Sequence, residues 1–270
     1  MRGALSWSRL SQLSKCGQAY RYRYIDHVPE VWGLAPIVGR IVHRAVESDL
    51  RSKMDTGALL APDAVRAEVE DSAKAELSTS EWKIDGAYEG MTASEARARA
   101  TDDAHRMALA YHEQIAPRVN PTGIELRVEI PASEALSVPF IGVIDVIDGE
   151  TIRDTKTTSK APSADIAESS EQLTAYELLY RALRRAPSAG LALDYLWVTP
   201  AKRESKTATL TTTRTDHCLA VFVARANAAV RVIDSERFLP APTDSWICSR
   251  RFCSFVDVCP YFAGRERPRS

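Results

Sequence analysis

Two short stretches of this sequence carry side chains that could bind metal. The stretch "GVIDVIDGETIRDTK" carries two carboxylates and an amine: Asp145, Asp154 and Lys156. The stretch "ICSRRFCSFVDVCP" carries three thiols: Cys248, Cys253 and Cys259. Carboxylates suit a hard cation such as Mg²⁺, whereas thiolates suit zinc or iron–sulfur clusters. The first stretch predicts a site that activates water, and the second predicts a closed metal site that lacks one ligand.

The carboxylate group depends on a hairpin at residues 148–149. An Asp-Gly dipeptide between two β-rich runs is typical of a two-residue hairpin loop. If these two residues form the loop, Asp145 faces Ile152, and Asp145, Asp154 and Lys156 project from one face. A three-residue loop would send Asp154 and Lys156 to the opposite face. The alternative is an exposed hairpin with a solvated ion pair.

Such a sheet face could carry out phosphate chemistry. Two carboxylates could hold Mg²⁺, and one of the waters that the ion keeps could become a nucleophile. Lys156 could orient that water or neutralise the charge that develops on a pentavalent phosphate.

Two predicted helices carry further candidates. In "GRIVHRAVE", Gly39, His43 and Glu47 are spaced four apart and therefore share one face, where the imidazole could ligate a metal. In "EQLTAYELL", Gln172 and Tyr176 are also four apart and could bind a phosphate or stack on a base. Either set could instead be an ordinary helix face.

The elements that must position these residues follow from the hydrophobic periodicity. The pattern predicts a short helix that ends near Cys16 with Gly17 as its stop, a helix over about residues 36–50, and a helical lobe over residues 62–116. From residue 121 it predicts strands "IELRVEI", "FIGVIDVI", "TIRDTKT", "LALDYLWVTP" and "KTATLTTT", with a Ser-capped helix "SSEQLTAYELLYRAL" between the third and fourth. A last helix covers residues 215–237. This order predicts an α/β fold.

Composition narrows the class of protein. The 270 residues carry a net charge of −1, so affinity for a polyanion must come from local patches such as the basic residues 1–27. No apolar stretch is long enough for a membrane span, and the N-terminus is not typical of a signal peptide. We therefore expect a cytoplasmic protein without membrane contact. In a reducing compartment, clustered cysteines favour metal binding over disulfides.

Taken together and in this order, the segments "LSWSRLSQLSKC", "GRIVH", "GVID", "IRDTK", "QLTAY" and "CSRRFCSFVDVCP" resemble the PD-(D/E)XK nuclease superfamily. The likeness is greatest to the RecB-like exonucleases with an iron–sulfur cluster, from phages, CRISPR adaptation and AddB-type repair. It implies a restriction-endonuclease-like core, in which helices flank a mixed central sheet, with a helical lobe and a C-terminal iron–sulfur clasp.

The resemblance implies one nuclease unit over residues 1–270, built from four segments. They are an N-terminal helix with the first cluster cysteine (1–30), a helical region with the GxxxH motif (31–120), the catalytic core (121–237) and the cluster tail (238–270).

The resemblance also implies roles for single residues. Mg²⁺ or Mn²⁺ would be bound by His43, Asp145, Asp154 and the backbone carbonyl of Thr155. Lys156 would be the catalytic lysine, and Gln172 and Tyr176 would line the path of DNA. Glu47 lies outside the motif and is kept as a residue that could support a metal ligand.

The missing thiolate is also implied by the resemblance. One N-terminal cysteine, here Cys16, would join Cys248, Cys253 and Cys259 around a [4Fe–4S] cluster. The first gap is four residues where the family more often has two, which departs from the family pattern. A four-cysteine zinc site is the alternative, but zinc usually takes cysteines in close C-x2-C pairs, so the dispersed spacing favours the cluster. Cys218 is left over, as a buried thiol.

We therefore expect a metal-dependent exonuclease that hydrolyses phosphodiester bonds at DNA ends in recombination, repair or CRISPR-type processing. Its partner would be DNA, single-stranded or with free ends, in a bacterial, archaeal or phage-infected cell. The alternatives are a structure-selective endonuclease with the same site and a non-catalytic DNA-binding adaptor with a zinc site.

Overall fold

The structure is a computed structural model that describes residues 3–79, 81–242 and 244–262. Its helices are α1 (Trp7–Lys15), α2 (Gly17–Tyr24), α3 (Leu34–Thr56), α4 (Pro62–Thr79), α5 (Ala93–Gln114), α6 (Ile166–Ser169), α7 (Glu171–Arg184) and α8 (Asp216–Ser235). Its strands are β1 (Leu5–Ser6), β2 (Trp32–Gly33), β3 (Trp82–Lys83), β4 (Pro121–Ile130), β5 (Phe140–Asp148), β6 (Thr151–Thr158), β7 (Gly190–Val198) and β8 (Ser205–Thr212). Within the described ranges, no helix has the length and hydropathy of a membrane span.

The chain divides into two compact units. We call Met1–Trp32, Glu129–Ile141 and Ala220–Ser270 the terminal unit, and Gly33–Val128 with Gly142–Leu219 the central unit. This division differs from the predicted segments, because parts of the 121–237 segment pack with the N-terminal helices. The ring of Phe222 lies 6.4 Å from that of Trp7 and 5.5 Å from that of Phe140. The predicted tail 238–270 falls partly outside the described residues.

The central unit contains a mixed sheet, as expected. Strand β5 pairs antiparallel with β6, β6 pairs parallel with β7, and β7 pairs antiparallel with β8, while β4 pairs with β5. Helices α6 and α7 lie in the connection between the parallel strands β6 and β7. A parallel pair needs such a crossover, because a tight turn can only reverse the chain.

Helix α3 forms the centre of a helical layer in this unit. Its buried residues recur at helical spacing along one stripe: Leu34, Ile37, Val38, Ile41, Val42, Ala45, Val46 and Leu50. The stripe packs in one cluster with α4 and α5 and with Ile124, Val146 and Leu196 of the sheet. The predicted helix over residues 36–50 is therefore correct but short, since α3 runs to Thr56, where Gly57 caps it with a φ of +82°.

The β5–β6 hairpin corrects one prediction. The observed partners are Asp148 with Thr151 and Ile147 with Ile152, so the loop consists of residues 149–150 and not 148–149. Asp148 stays in the strand because its carboxylate accepts hydrogen bonds from the Asn120 amide and from Arg153. Gly149 has a φ of +60° and Glu150 does not have a positive φ, the pattern of a type II′ turn.

The corrected register keeps the carboxylates together. Continued along the hairpin, it places Asp145 opposite Asp154, two residues away from the predicted partner Ile152. A slip of two residues returns every side chain to the same face. Asp145, Asp154 and Lys156 therefore share one face of the sheet, as predicted.

The other face of the hairpin is held by a buried ion pair. Arg153 donates from Nη1 to both oxygens of Asp194, at 3.0 and 2.9 Å, and from Nε to Asp148 at 2.8 Å. Asp194 is fully buried in β7 and also accepts a 2.6 Å hydrogen bond from Thr209. This network joins β5, β6, β7 and β8 directly behind the carboxylates.

The terminal unit brings the two ends of the chain together. Cys16 ends α1 and begins α2, so Gly17 starts a second helix and is not the predicted stop. A Cβ on Gly17 would lie 2.8 Å from backbone atoms of Leu239, and Gln18 donates a 2.7 Å hydrogen bond to the Phe238 carbonyl. Glycine at residue 17 is what allows this close backbone contact.

We predict that Asp194→Ala lowers the free energy of unfolding by about 3 kcal/mol, because it leaves the partly buried guanidinium of Arg153 with one carboxylate fewer. Urea unfolding measures the loss. The control is Lys206→Ala, since Lys206 and its partner Glu204 are each about half exposed, and its effect should stay within about 0.5 kcal/mol. A loss for Asp194→Ala as small as that of the control would contradict a role of this pair in holding the sheet.

Candidate active site

The carboxylate face of the hairpin forms the centre of the candidate site in the central unit. Asp154 is fully buried, and its two carboxylate oxygens lie 2.9 and 2.6 Å from Nζ of Lys156. Residues 154 and 156 meet because they stand two apart on β6. Thr155 lies between them and pairs with Asp194 of β7. Metal binding by its backbone carbonyl stays a prediction.

Helix α3 brings His43 to the same carboxylates. Its Nε2 lies 3.0 Å from Oδ2 of Asp145. Gly39, one turn earlier, lets the helix approach the sheet, since a Cβ there would lie 3.1 Å from the hydroxyl of Thr157. The GxxxH spacing thus acts as the sequence predicts, with the glycine at the close approach and the imidazole in the site.

Helix α7 supplies hydrogen-bond donors to both carboxylates. The Tyr176 hydroxyl donates to Oδ1 of Asp145 at 2.9 Å, and the Gln172 amide donates to Oδ1 of Asp154 and to the Tyr176 hydroxyl, each at 2.9 Å. Ser170 caps this helix by accepting from the Leu173 amide, as predicted. The ring of Tyr176 is only 7 % exposed and offers little surface for a base to stack on. Contact of Gln172 with DNA stays a prediction.

The charged groups of the site shift one another's pKa values. Burial and the neighbouring Asp145 raise the pKa of Asp154. Burial also acts to raise the pKa of Asp145, but its bonds to His43 and the charge of Lys156 outweigh this, so that pKa falls. The hydrogen bond to Asp145 raises the pKa of His43 to about 9. Without a bound cation, His43 therefore carries a proton at neutral pH.

Glu125 of β4 also belongs to this group and is not in the predicted set. Its Oε1 lies 3.5 Å from Nε2 of His43. Ligand atoms of His43, Glu47 and Glu125 all lie within 4.8 Å of one another, the one such trio of His, Cys, Asp or Glu side chains in the described part of the chain. Glu125 has a φ of +51° inside a strand, and no sequence pattern predicts that conformation. Glu47 is held by Arg51 at 2.7 Å.

The donor set fits a hard divalent cation. His43, Asp145 and Asp154 offer one imidazole nitrogen and carboxylate oxygens, and the carboxylates are drawn together although their charges repel. Oxygen-rich sets of this kind suit Mg²⁺ or Mn²⁺.

The cysteines lie in the terminal unit, apart from one. Cys16, Cys248, Cys253 and Cys259 line one cavity of about 220 Å³. Cys218 does not line it. The prediction that Cys218 is buried is wrong, because it is partly exposed near the start of α8, where the Thr215 hydroxyl bonds to it and lowers the pKa of its thiol.

Comparisons with known proteins bear on the family and the fold. The family model of the PD-(D/E)XK nuclease superfamily matches residues 4–260. The crystal structure of a protein named "Putative exonuclease" from Eubacterium rectale is similar, with a TM-score of 0.56 and 12% identity, over 91% of this chain and 86% of that chain. That of SSO0001 has a TM-score of 0.38 and 13% identity, over 94% and 95%, which is too low to support an argument about fold. No curated protein matches the sequence. At 12% identity, the first structure supports the fold alone.

We predict that the stability lost on His43→Gln depends on pH in protein freed of metal by a chelator. Because folding raises the pKa of His43 from 6.5 to about 9, its stabilisation is fully present below pH 6.5 and disappears as the pH rises through 9. The loss should reach roughly 3 kcal/mol at most. Urea unfolding at pH 6 and pH 9.5 measures it.

His217→Gln is the matched control, since His217 is exposed on α8. Equal losses for His43→Gln at both pH values would show that the imidazole charge does not stabilise the fold.

Proposed function

This chain belongs to the PD-(D/E)XK nuclease superfamily, and from that premise we propose that it is a Mg²⁺- or Mn²⁺-dependent exonuclease that removes nucleotides from DNA ends. Membership makes it a hydrolase of nucleic acid. The single observation that supports the finer proposal is the close approach of His43 to Asp145 and of Lys156 to Asp154, from one helix and two neighbouring strands.

Each side chain has a role that its contacts support. Asp145, Asp154 and His43 would hold the cation, with the Thr155 carbonyl as a further ligand. When bound, the cation lowers the pKa of an attacking water and stabilises charge on the phosphate. His43 must give up its proton to ligate. Lys156 lies within 2.9 Å of Asp154, where its ammonium can orient the water and offset the developing charge.

Gln172 and Tyr176 would act through the carboxylates. Gln172 donates a hydrogen bond to Asp154 and Tyr176 donates one to Asp145, and these bonds fix the positions of the two carboxylates. Ligands that are oriented in this way bind a metal with less reorganisation. This role replaces base stacking for Tyr176.

DNA is the expected substrate, and attack at free ends is the proposed mode. The family resemblance of the motifs supports both.

Five free cysteines fit a reducing compartment, and we place the activity in the cytoplasm.

We predict that Lys156→Ala and Asp154→Asn each lower cleavage of end-labelled linear DNA with Mg²⁺ or Mn²⁺ at least 100-fold, since both remove stabilisation of the transition state. The control is Lys160→Ala, because Lys160 is exposed just beyond β6, and it should cleave as the wild type does. Circular single- and double-stranded DNA should stay intact.

Three results would overturn parts of this proposal. Cleavage of circular DNA would show that the protein is an endonuclease. Full activity of Lys156→Ala would show that the active site is wrongly assigned. A wild-type protein that binds DNA but cleaves neither form would be an adaptor.

We also propose that Cys16, Cys248, Cys253 and Cys259 hold a [4Fe–4S] cluster that joins the ends of the chain. Their shared cavity supports this, and so do hydrogen bonds from the Ala19 and Phe255 amides to the sulfurs of Cys16 and Cys253. Backbone amides commonly stabilise cluster thiolates in this way. Burial, with a smaller effect of the neighbouring thiols, raises the pKa of Cys253, and a bound metal would reverse that cost.

The spacing of the cysteines along the sequence supports a cluster over zinc. Zinc ribbons usually bring their cysteines in close C-x2-C pairs, whereas Cys248, Cys253 and Cys259 are separated by four and five residues. A cluster several ångströms across suits such dispersed ligands better.

We predict that protein purified without oxygen is brown and contains about four irons per chain. Cys16→Ala, Cys248→Ala, Cys253→Ala or Cys259→Ala should each remove the colour and lower the melting temperature. Cys218→Ala is the matched control and should do neither. One zinc per chain without iron would overturn the cluster, and a brown Cys16→Ala protein with full iron would exclude the N-terminal ligand.

A further inference from the structure

Glu125 occupies a position that its own interactions do not explain. Its Oε1 is buried and accepts no hydrogen bond from the described residues. Its backbone has a φ of +51°, which costs free energy for any residue with a Cβ. Glycine would adopt this conformation without that cost. A strained glutamate with an unsatisfied buried oxygen is therefore doubly unfavourable for stability.

The surroundings of Glu125 show what its carboxylate faces. Nε2 of His43 lies 3.5 Å from Oε1 of Glu125 and 3.0 Å from Oδ2 of Asp145. The imidazole nitrogen thus lies close to carboxylate oxygens from two strands, β4 and β5. It carries one proton at most and can donate one hydrogen bond, which the shorter distance assigns to Asp145.

An ion pair with His43 does not account for this arrangement. A protonated His43 already donates its Nε2 proton to Asp145. The imidazole therefore has no proton at Nε2 left for a hydrogen bond to a second carboxylate. Glu47, the other carboxylate near His43, is instead paired with Arg51 at 2.7 Å. Oε1 of Glu125 has only the 3.5 Å ion-pair contact with His43 and no hydrogen-bond donor among the described residues. It shares this lack of a donor with Oδ2 of Asp154, so both oxygens remain for a further positive charge.

The charges balance when a divalent cation is added. Asp145, Asp154 and Glu125 together bring three negative charges, and Lys156 brings one positive charge. A neutral His43 leaves a deficit of two, which is the charge of Mg²⁺ or Mn²⁺. Carboxylate oxygens are the ligands that these ions prefer.

We propose that Glu125 is a further ligand of the divalent cation, on the His43 side of the centre and outside the sequence motifs that predict the other ligands. This inference rests on the proposed metal-dependent function. Glu47 stays paired with Arg51 and does not bind the ion.

The test is Mn²⁺ binding to the full chain, measured by calorimetry and by the paramagnetic resonance of free Mn²⁺. The dissociation constant should rise at least tenfold in Glu125→Gln, which keeps the size of the side chain and removes its charge. Glu150→Gln is the matched control, since Glu150 is exposed in the hairpin loop, and should bind as the wild type does. Glu47→Gln should weaken binding less than Glu125→Gln.

A second variant separates metal binding from folding. Glu125→Gly removes the carboxylate and also the strain at φ +51°, so its melting temperature without metal should equal or exceed that of the wild type while Mn²⁺ binding falls. A lower melting temperature together with unchanged Mn²⁺ affinity would assign Glu125 a structural role and overturn the inference.

Asp145→Asn distinguishes the inference from the function on which it rests. If Asp145→Asn abolishes Mn²⁺ binding and Glu125→Gln binds as the wild type does, Glu125 is not a ligand and the proposed site stands. If the wild type binds no Mn²⁺, the proposed function and the inference both fail.

Discussion

The site depends on one constraint, the placement of the buried carboxylate of Asp154 beside the largely covered carboxylate of Asp145. Asp145 and Asp154 repel each other where little water screens them. Lys156 and His43 bring positive charge, and the donors of α7 bond to Oδ1 of Asp145 and Oδ1 of Asp154. The compensation is incomplete, because the pKa of Asp154 is still raised. Such a pair is costly for stability and is suited to a bound cation, which is consistent with a nuclease site.

The rest of the central unit keeps this pair in place. The Arg153–Asp194 ion pair fixes β6 against β7 on the opposite face of the sheet. The buried stripe of α3 brings His43 to the hairpin, and Gly39 permits the close approach. Precise positioning of charged groups requires that their supports be rigid, and a four-stranded contact with a buried ion pair provides this.

The terminal unit meets a different requirement, since it must hold the two ends of the chain. Packing already brings them together, because Gly17 contacts the backbone at Leu239 and Gln18 bonds to the Phe238 carbonyl. The four cysteines line a cavity next to these contacts. A cluster there would add a covalent link to an association that is already packed, and would restrict the unfolded chain as a disulfide does.

The sequence by itself determined the order of the elements and the face that carries Asp145, Asp154 and Lys156. The helical spacing of apolar residues and the alternation of side chains along a strand are local properties of the sequence. A register error of two residues leaves each side chain on the same face of the sheet. Only the tertiary structure decided the hairpin loop, the burial of the Tyr176 ring and the exposure of Cys218, since each depends on partners distant in the chain. Glu125 is the clearest case. Its side chain reaches His43 from a strand residue with a φ of +51°. A glutamate in a β-rich run gives no sign of that conformation, because the local preference of a residue with a Cβ is against a positive φ.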